Sequence, residues 1–470
     1  MRNREEIIIE DLEILDAGAE GKAIARHNDI VVFVSHAVPG DIVDVRIVAK
    51  KRRFMEGVII NIKKKSDKRI DSVCKHFGVC GGCKWQSMNY QAQLEYKRKQ
   101  VYDNFIRIGK LQVEEIPQVL PADPIYFYRN KLEYAFADRR WLLHSELKEE
   151  SVTQSEGLGF HVPKVFDKVI DITECHLQAE PSNTIRNTIR DYCLSNNLSF
   201  YNARSWQGFM RNIIIRTTPA GQVMLIVVFG YQDDAIIEMM NFLEYKFSEI
   251  TSLNYVINEK HNDTISDLPV ILYKGVPYLE EVMEDLTFRV GPVSFYQTNS
   301  IQAYKLYSVT RDFAALTGNE VVYDLYTGTG TIANFVAHKA KKVVGVEYVE
   351  PAIKDAIINS QLNNIENTVF YAGDLAKVLN AEFVKENGYP DVVITDPPRA
   401  GMHPKVVEQL LQIMPKRIVY VSCNPASQAR DLALLEEKYI ITKIQPVDMF
   451  PHTHHIENVV CLELKEIVNG

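Results

Sequence analysis

The sequence predicts an α/β protein in three parts: a small N-terminal β barrel, a central α+β region around a cysteine cluster, and a C-terminal sheet wound on both faces by helices. Residues 5–66 break into short apolar runs between Gly18, Gly21, Pro39, Gly40 and Gly57, the spacing of barrel strands and turns. Cys74, Cys80 and Cys83 fall within ten residues. After residue 290, short apolar runs alternate with helical text, as in a parallel sheet buried on both faces.

At 470 residues the chain has room for about three domains. With 46% hydrophobic and 24% charged residues, burial can offset the entropy of folding, which excludes wholesale disorder. The longest apolar run, Val223 to Phe229, is far short of the roughly 20 residues that cross a bilayer. The opening MRNREEIIIEDLEIL carries acids where a secretory peptide needs an uninterrupted apolar core, so a cytoplasmic protein without membrane contact is expected. Seven cysteines in such a chain point to metal or catalytic use rather than disulfides.

The net charge of −8 hides a local excess in the barrel. Between Arg46 and Arg69, ten basic residues stand against Glu56 and Asp67, a strip suited to phosphate because contact releases condensed counterions. Next, residues 88–107 read as a helix, with Tyr90, Leu94, Val101 and Phe105 near one face. From 126 to 287 the text mixes strand and helix without a recognisable signature, and the polar stretch 139–156 reads as a loop or hairpin insertion. The C-terminal strands are expected at 321–326, 342–347, 367–373, 391–395, 417–422, 439–447 and 458–464. Ligands of such a Rossmann-like sheet sit beyond the carboxyl ends of its strands. The chain has no internal repeat and no low-complexity tract.

The first of these strands runs into Asp324-Leu-Tyr-Thr-Gly-Thr-Gly330 and then a helix, with Glu347 nineteen residues beyond Gly328. Glycines allow close approach of the backbone to a ligand, and the acid at the end of the second strand suits ribose hydroxyls. GTGTIA also satisfies the dinucleotide form, so the loop alone leaves NAD and S-adenosylmethionine open. Asp396-Pro-Pro-Arg399 ends the fourth strand and Ser422-Cys-Asn-Pro425 the fifth. Arg399 stands where an aromatic residue would stack an amino-bearing base, which turns the reading away from amine methylation.

Cys423, at a strand end beside a methyl-donor pocket, suits a nucleophile. Uracil C5 is too electron-poor to take a methyl group unaided, but thiolate addition at C6 makes it electron-rich, splitting one hard step into two. A base must then remove the C5 proton. Glu457, in His455-Ile-Glu-Asn458, is the candidate, and burial would raise its pKa towards the working pH. His452, His454 and His455 are read as loop packing or substrate contacts, and Cys461 as core. Cys74, Cys80 and Cys83 suit a metal centre, with Cys175 as fourth ligand and Cys193 as runner-up. Spacing alone leaves zinc and iron–sulfur open.

With these cysteines, DLYTGTG, DPPR, SCNP and HIEN in order over essentially its whole length, the chain resembles the RNA uridine C5-methyltransferases, most closely the bacterial branch acting on 23S ribosomal RNA. The resemblance implies a TRAM barrel (OB-like) at 1–66, a central domain with a four-iron four-sulfur cluster at 67–290, and a class I methyltransferase domain at 291–470. It also implies that the helix at 93–112 packs on the last of these. It carries over Cys74, Cys80, Cys83 and Cys175 as cluster ligands and Gln297, Tyr326, Glu347 and Asp396 as S-adenosylmethionine contacts. Cys423 becomes the nucleophile and Glu457 the proton acceptor. Thr327 departs from the family, which often has Cys there. The expected partner is RNA, with a flipped target base and no protein partner, the chain acting as a monomer. A transfer RNA target is the alternative substrate; an NAD-dependent oxidoreductase and a non-catalytic RNA-binding iron–sulfur protein are the alternative classes.

Overall fold

The computed structural model describes residues 7–143, 146 and 155–466; within the polar stretch at 139–156, residues 144–145 and 147–154 lie outside the described residues. Strands β1 (Ile8–Ala17), β2 (Ala23–His27), β3 (Ile30–Ser35), β4 (Ile42–Lys50) and β5 (Phe54–Lys64) close into a barrel in the order β1-β2-β3-β5-β4. Closure removes the exposed strand edges that a five-stranded sheet would leave. Alternate residues point inward, among them Leu12, Ile14, Val32, Val34, Val43 and Val45. A Cβ at Gly57 would lie 2.2 Å from Val45 Cγ1, so only glycine fits where β5 crosses β4. Lys50, Lys51, Arg52 and Arg53 are all exposed on the β4–β5 turn. The barrel exit is fixed by the wholly buried Asp41, which accepts hydrogen bonds from the Val38 and Ser66 N–H groups and pairs with Arg69 at 2.6 Å.

Helix α1 (Tyr90–Asn104) starts at Asn89, whose side chain accepts the Ala92 N–H, and ends in a π turn at Phe105–Gly109. The central sheet then takes β6 (Lys131–Ala137), β7 (Gly157–His161) and β8 (Val169–Asp171). Helix α2 (Ser182–Ser195), β9 (Met210–Thr217), β10 (Val223–Phe229), α3 (Ala235–Lys246), β11 (Ser252–Ile257) and β12 (Ile271–Gly275) follow. Strand order is β12-β11-β10-β9-β6-β7-β8. The uniformly apolar run of β10 is buried on both faces: Leu225 and Val227 meet Ile236 and Met239 of α3, while Met224, Ile226 and Val228 pack on the opposite side.

A hairpin of β13 (Leu279–Met283) and β14 (Leu286–Val290) leads to α4 (Ser300–Ala314). The last sheet is built from β15 (Val321–Leu325), α5 (Thr331–Ala337), β16 (Lys342–Glu347), α6 (Glu350–Leu362), β17 (Thr368–Ala372) and the short helices α7 (Leu375–Val378) and α8 (Ala381–Asn387). It is completed by β18 (Val392–Thr395), α9 (Pro404–Ile413), β19 (Arg417–Ser422), α10 (Pro425–Leu435), β20 (Tyr439–Val447) and β21 (Glu457–Leu464). The order β17-β16-β15-β18-β19-β21-β20 reverses between β15 and β18, opening the ligand crevice at their carboxyl ends. The sheet is not wholly parallel: β21 lies antiparallel between β19 and β20. The connection at 448–456 is too short for a crossover helix, so the chain can only double back.

Although it precedes the central sheet in sequence, α1 packs into the C-terminal core, where Leu94, Val101 and Phe105 meet Ala429 and Leu432 of α10. At that seam Lys97 Nζ lies 2.6 Å from Asp448 Oδ1, with both side chains fully buried. Tyr90 Oη donates to the other Asp448 oxygen at 2.8 Å, and the Phe450 N–H to Oδ1 at 3.0 Å. Burial lowers the Lys97 pKa and Asp448 opposes that shift. No helix among the described residues is long and apolar enough to cross a membrane. Removing one partner of a buried pair strands the other, at a cost of about 3–5 kcal/mol. Lys97→Met is therefore expected to lower the melting temperature markedly, and adding Asp448→Asn to recover part of the loss, both read by calorimetry.

Candidate active site

The crevice is assembled from the ends of β15, β16, β18 and β19 and the loop before β21. After β15 the backbone enters the left-handed region at Tyr326 (φ 65°), Gly328 (φ 56°) and Gly330 (φ 75°) before α5 begins. The two glycines serve different ends. A Cβ at Gly330 would strike Ala356 Cβ at 2.8 Å, whereas one at Gly328 would meet no atom within 4 Å, leaving a cradle that a ligand can fill. Glu347 fixes the loop: its Oε2 accepts the Gly328 N–H at 3.2 Å and its Oε1 the Val349 N–H at 3.0 Å. Thr327 Oγ1 donates to Asp324 Oδ2 at 2.5 Å.

The turns ending β18 and β19 are stitched together. Asn424 Nδ2 and Ser427 Oγ both donate to the Arg399 carbonyl, at 2.9 and 3.1 Å, and Asn424 Oδ1 caps α10 through the Ala426 N–H. This holds Cys423, which is half-buried, beside Asp396 and Glu457. Burial, then the charges of Glu457 and Asp396, push the Cys423 thiol up to about 11, while Arg399 acts in the opposite direction. Burial and Asp324 push Asp396 up to about 7, and burial raises Asp324 to about 7 as well. Glu457, 4% exposed, is raised well above the usual carboxylate range by burial and by Asp396. Carboxyl groups whose burial raises them in this way hold protons that ordinary carboxylates shed, the property asked of catalytic acids and bases.

Gln297 is buried, with its carbonyl accepting Asn130 Nδ2 at 2.9 Å. Tyr326 is partly buried, and burial raises its hydroxyl pKa, with the charges of Asp431, Asp374 and Glu347 acting in the same direction. Tyr307, which the sequence did not single out, is buried on α4 under the influence of Asp396, Glu457 and Asp324, which together with burial hold its hydroxyl protonated. It sits mid-helix in KLYSV, where nothing local distinguishes it from core.

Cys74, Cys80, Cys83 and Cys175 line one cavity of about 780 Å³ with Gly81 and Gly82. Burial pushes the Cys80 thiol to about 11 and Cys83 to about 12, with each further raised by the neighbouring cysteines. Polar donors already face sulfur: Gln86 Nε2 lies 3.2 Å from Cys83 Sγ, and the Gly82 N–H 3.5 Å from Cys80 Sγ. Among the described residues, no three His, Cys, Asp or Glu side chains are gathered as a site for a single ion. Cys193 stands apart in the core of α2, and Cys461 is buried in β21. The histidines are packed into their loop: His452 stacks on Tyr126 at 4.3 Å, and burial lowers His452 to about 4, His454 to about 3 and His455 to about 4. Arg399 Nη2 lies 3.4 Å from His455 Nδ1, at the mouth of the crevice.

Residues 278–465 match the family model described as tRNA (Uracil-5-)-methyltransferase, and residues 3–60 match the TRAM domain. An RNA methyltransferase of Bacteroides thetaiotaomicron is 53% identical over 95% of this chain and 100% of its own length. One from Porphyromonas gingivalis is 54% identical over 96% and 99%. Among solved structures, the Pyrococcus abyssi tRNA (uracil-54, C5)-methyltransferase in complex with S-adenosyl-L-homocysteine superposes with a TM-score of 0.74 at 27% identity, covering 96% of this chain and all of that one.

The thiolate is the reacting form of cysteine, so a thiol raised to about 11 is expected to alkylate at pH 7 more slowly than a free cysteine of about 8.5. Its rate with iodoacetamide should climb roughly tenfold per pH unit up to pH 10. Peptide mass spectrometry at Cys423 checks this, and rapid neutral labelling would mean that the thiolate is already formed.

Proposed function

The chain belongs to the S-adenosylmethionine-dependent RNA uracil C5-methyltransferase family, and we propose that it methylates C5 of a specific uridine in 23S ribosomal RNA. The observation that carries the chemistry is the meeting of Cys423, Asp396 and Glu457 beside the open cradle at Gly328. Gln297, Tyr326, Glu347 and Asp396 would hold the cofactor there. When bound, S-adenosylmethionine supplies the methyl group and a sulfonium positive charge. A cation in this crevice favours the ionised forms of Cys423, Asp396 and Glu457, offsetting the upward shifts caused by burial.

Cys423 Sγ adds to C6 of the uracil, and the electrons of the C5–C6 double bond move towards C5 and O4. C5 would then accept the methyl group that bound S-adenosylmethionine supplies, the methyl–sulfur bond breaking and its electron pair staying on sulfur to leave a neutral thioether. Glu457 takes the proton from the newly methylated C5, the double bond re-forms, and the sulfur leaves C6 as a thiolate. Both faces of the ring are used, so the base must be flipped out of its stack. Arg399, exposed beside Cys423, suits the uracil carbonyl or a neighbouring phosphate. The Lys50–Arg53 turn of the barrel supplies sequence-independent phosphate contacts.

The four thiols around one cavity are proposed to hold a four-iron four-sulfur cluster with a structural role, since Cys₄ is the donor set such clusters take and the Gly82 N–H and Gln86 Nε2 already face the sulfurs of Cys80 and Cys83. A transfer RNA target is a second reading. It is favoured by the likeness to the Pyrococcus abyssi tRNA enzyme, which extends over 96% of this chain and all of that one.

Tritium release from RNA labelled at uracil C5 is expected with a 23S fragment; release only from transfer RNA selects the second reading, and none from either removes both. Cys423→Ala should abolish release, whereas Glu457→Gln should leave protein covalently attached to RNA on a denaturing gel. Anaerobically purified protein should carry about four iron and four sulfide per chain, falling with Cys175→Ser.

A further inference from the structure

The loop from Asp448 to His455 has no helix or strand, yet it delivers the chain into Glu457 at the start of β21. Its conformation is therefore set by what it packs against. His452 lies at φ 64°, in the left-handed region that residues with a side chain adopt uncommonly. Its carbonyl accepts the N–H groups of Lys84 and Trp85, at 2.8 and 3.0 Å, directly after Cys83. Its own N–H donates to Gln93 Oε1 at 2.8 Å.

Gln93, in the first turn of α1, is wholly buried and reaches in both directions. Its Nε2 donates to the carbonyls of Met88 and Trp85, at 2.8 and 3.1 Å, and lies 3.2 Å from His452 Nδ1. One amide thus ties the segment after the cysteine cluster, helix α1 and the loop that carries Glu457.

We propose that Gln93 is a positioning residue that fixes Glu457 against Cys423 by locking the His452 peptide to the segment following Cys83. The proposal rests on Glu457 being the proton acceptor of the proposed reaction. Addition of sulfur to C6 and attack by C5 do not require Glu457, whereas removal of the C5 proton does. Loosening the lock therefore slows release more than the earlier steps.

In the wild-type protein the His452 amide is expected to exchange with deuterium at a strongly protected rate; exchange as fast as an unprotected peptide overturns the proposal. Gln93→Met keeps the volume but removes the side-chain bonds of Gln93, leaving the Lys84 and Trp85 N–H bonds to the His452 carbonyl in place. In that variant, exchange across residues 450–456 should rise. The kcat should fall on the order of tenfold to a hundredfold, as expected for a catalytic group displaced by about an ångström, with KM for RNA and cofactor unchanged. Covalent protein–RNA adduct should accumulate. Faster exchange with wild-type turnover, or lost turnover without adduct, overturns the assignment. If Gln93→Met does not fold, the wild-type exchange rate decides. If the wild-type protein releases tritium from neither RNA, the proposed function has failed, and the exchange measurements alone judge whether Gln93 holds the loop.

Discussion

The structure depends on an ion pair that no water reaches. Lys97 and Asp448 are both fully buried, and bringing them there costs desolvation that only close geometry and added hydrogen bonds recover. The added bonds are present: Tyr90 and the Phe450 N–H satisfy the carboxylate, and the Phe450 carbonyl accepts from Lys97 Nζ at 3.0 Å. Such a pair adds little net stability, yet it tolerates almost no displacement. It fixes α1 and the loop before β21 in one register, and the crevice is built around that register.

A second constraint is electrostatic. Asp324, Asp396 and Glu457 share a space with little water, so each resists ionisation while its neighbours are charged. Cys423 stands under the same field. In the absence of a compensating cation the site favours protonated forms, and Arg399 at the mouth offsets this only in part. In the proposed reaction a positively charged methyl donor would be the complement of this arrangement, and its binding would favour the thiolate of Cys423.

Much of this was legible in the sequence because local pattern and tertiary role agree. The strand expected at 439–447 is β20 to the residue, and the short apolar runs of residues 5–66 became the strands of a closed barrel. DLYTGTG, DPPR and SCNP read correctly as strand ends because apolar runs stop there and glycine or proline takes over. What failed to show were relations between distant segments. The central sheet gave no signature because its middle pairing joins distant segments: β6 lies beside β9, with Lys131 opposite Arg216. The antiparallel β21 could have been inferred, since so short a connection cannot hold a crossover helix. Tyr307 and Gln93 had no signal at all, because their importance lies in what folds against them.

The placement of α1 has a consequence for biosynthesis. Tyr90 and Asp448 are 358 positions apart, so at about 5–20 residues per second the helix leaves the ribosome roughly twenty to seventy seconds before its partner exists. During that interval Leu94, Val101 and Phe105 have no native surface to cover them. A nascent chain with these side chains uncovered invites chaperone capture, and the C-terminal unit cannot close over its core until the last strands emerge.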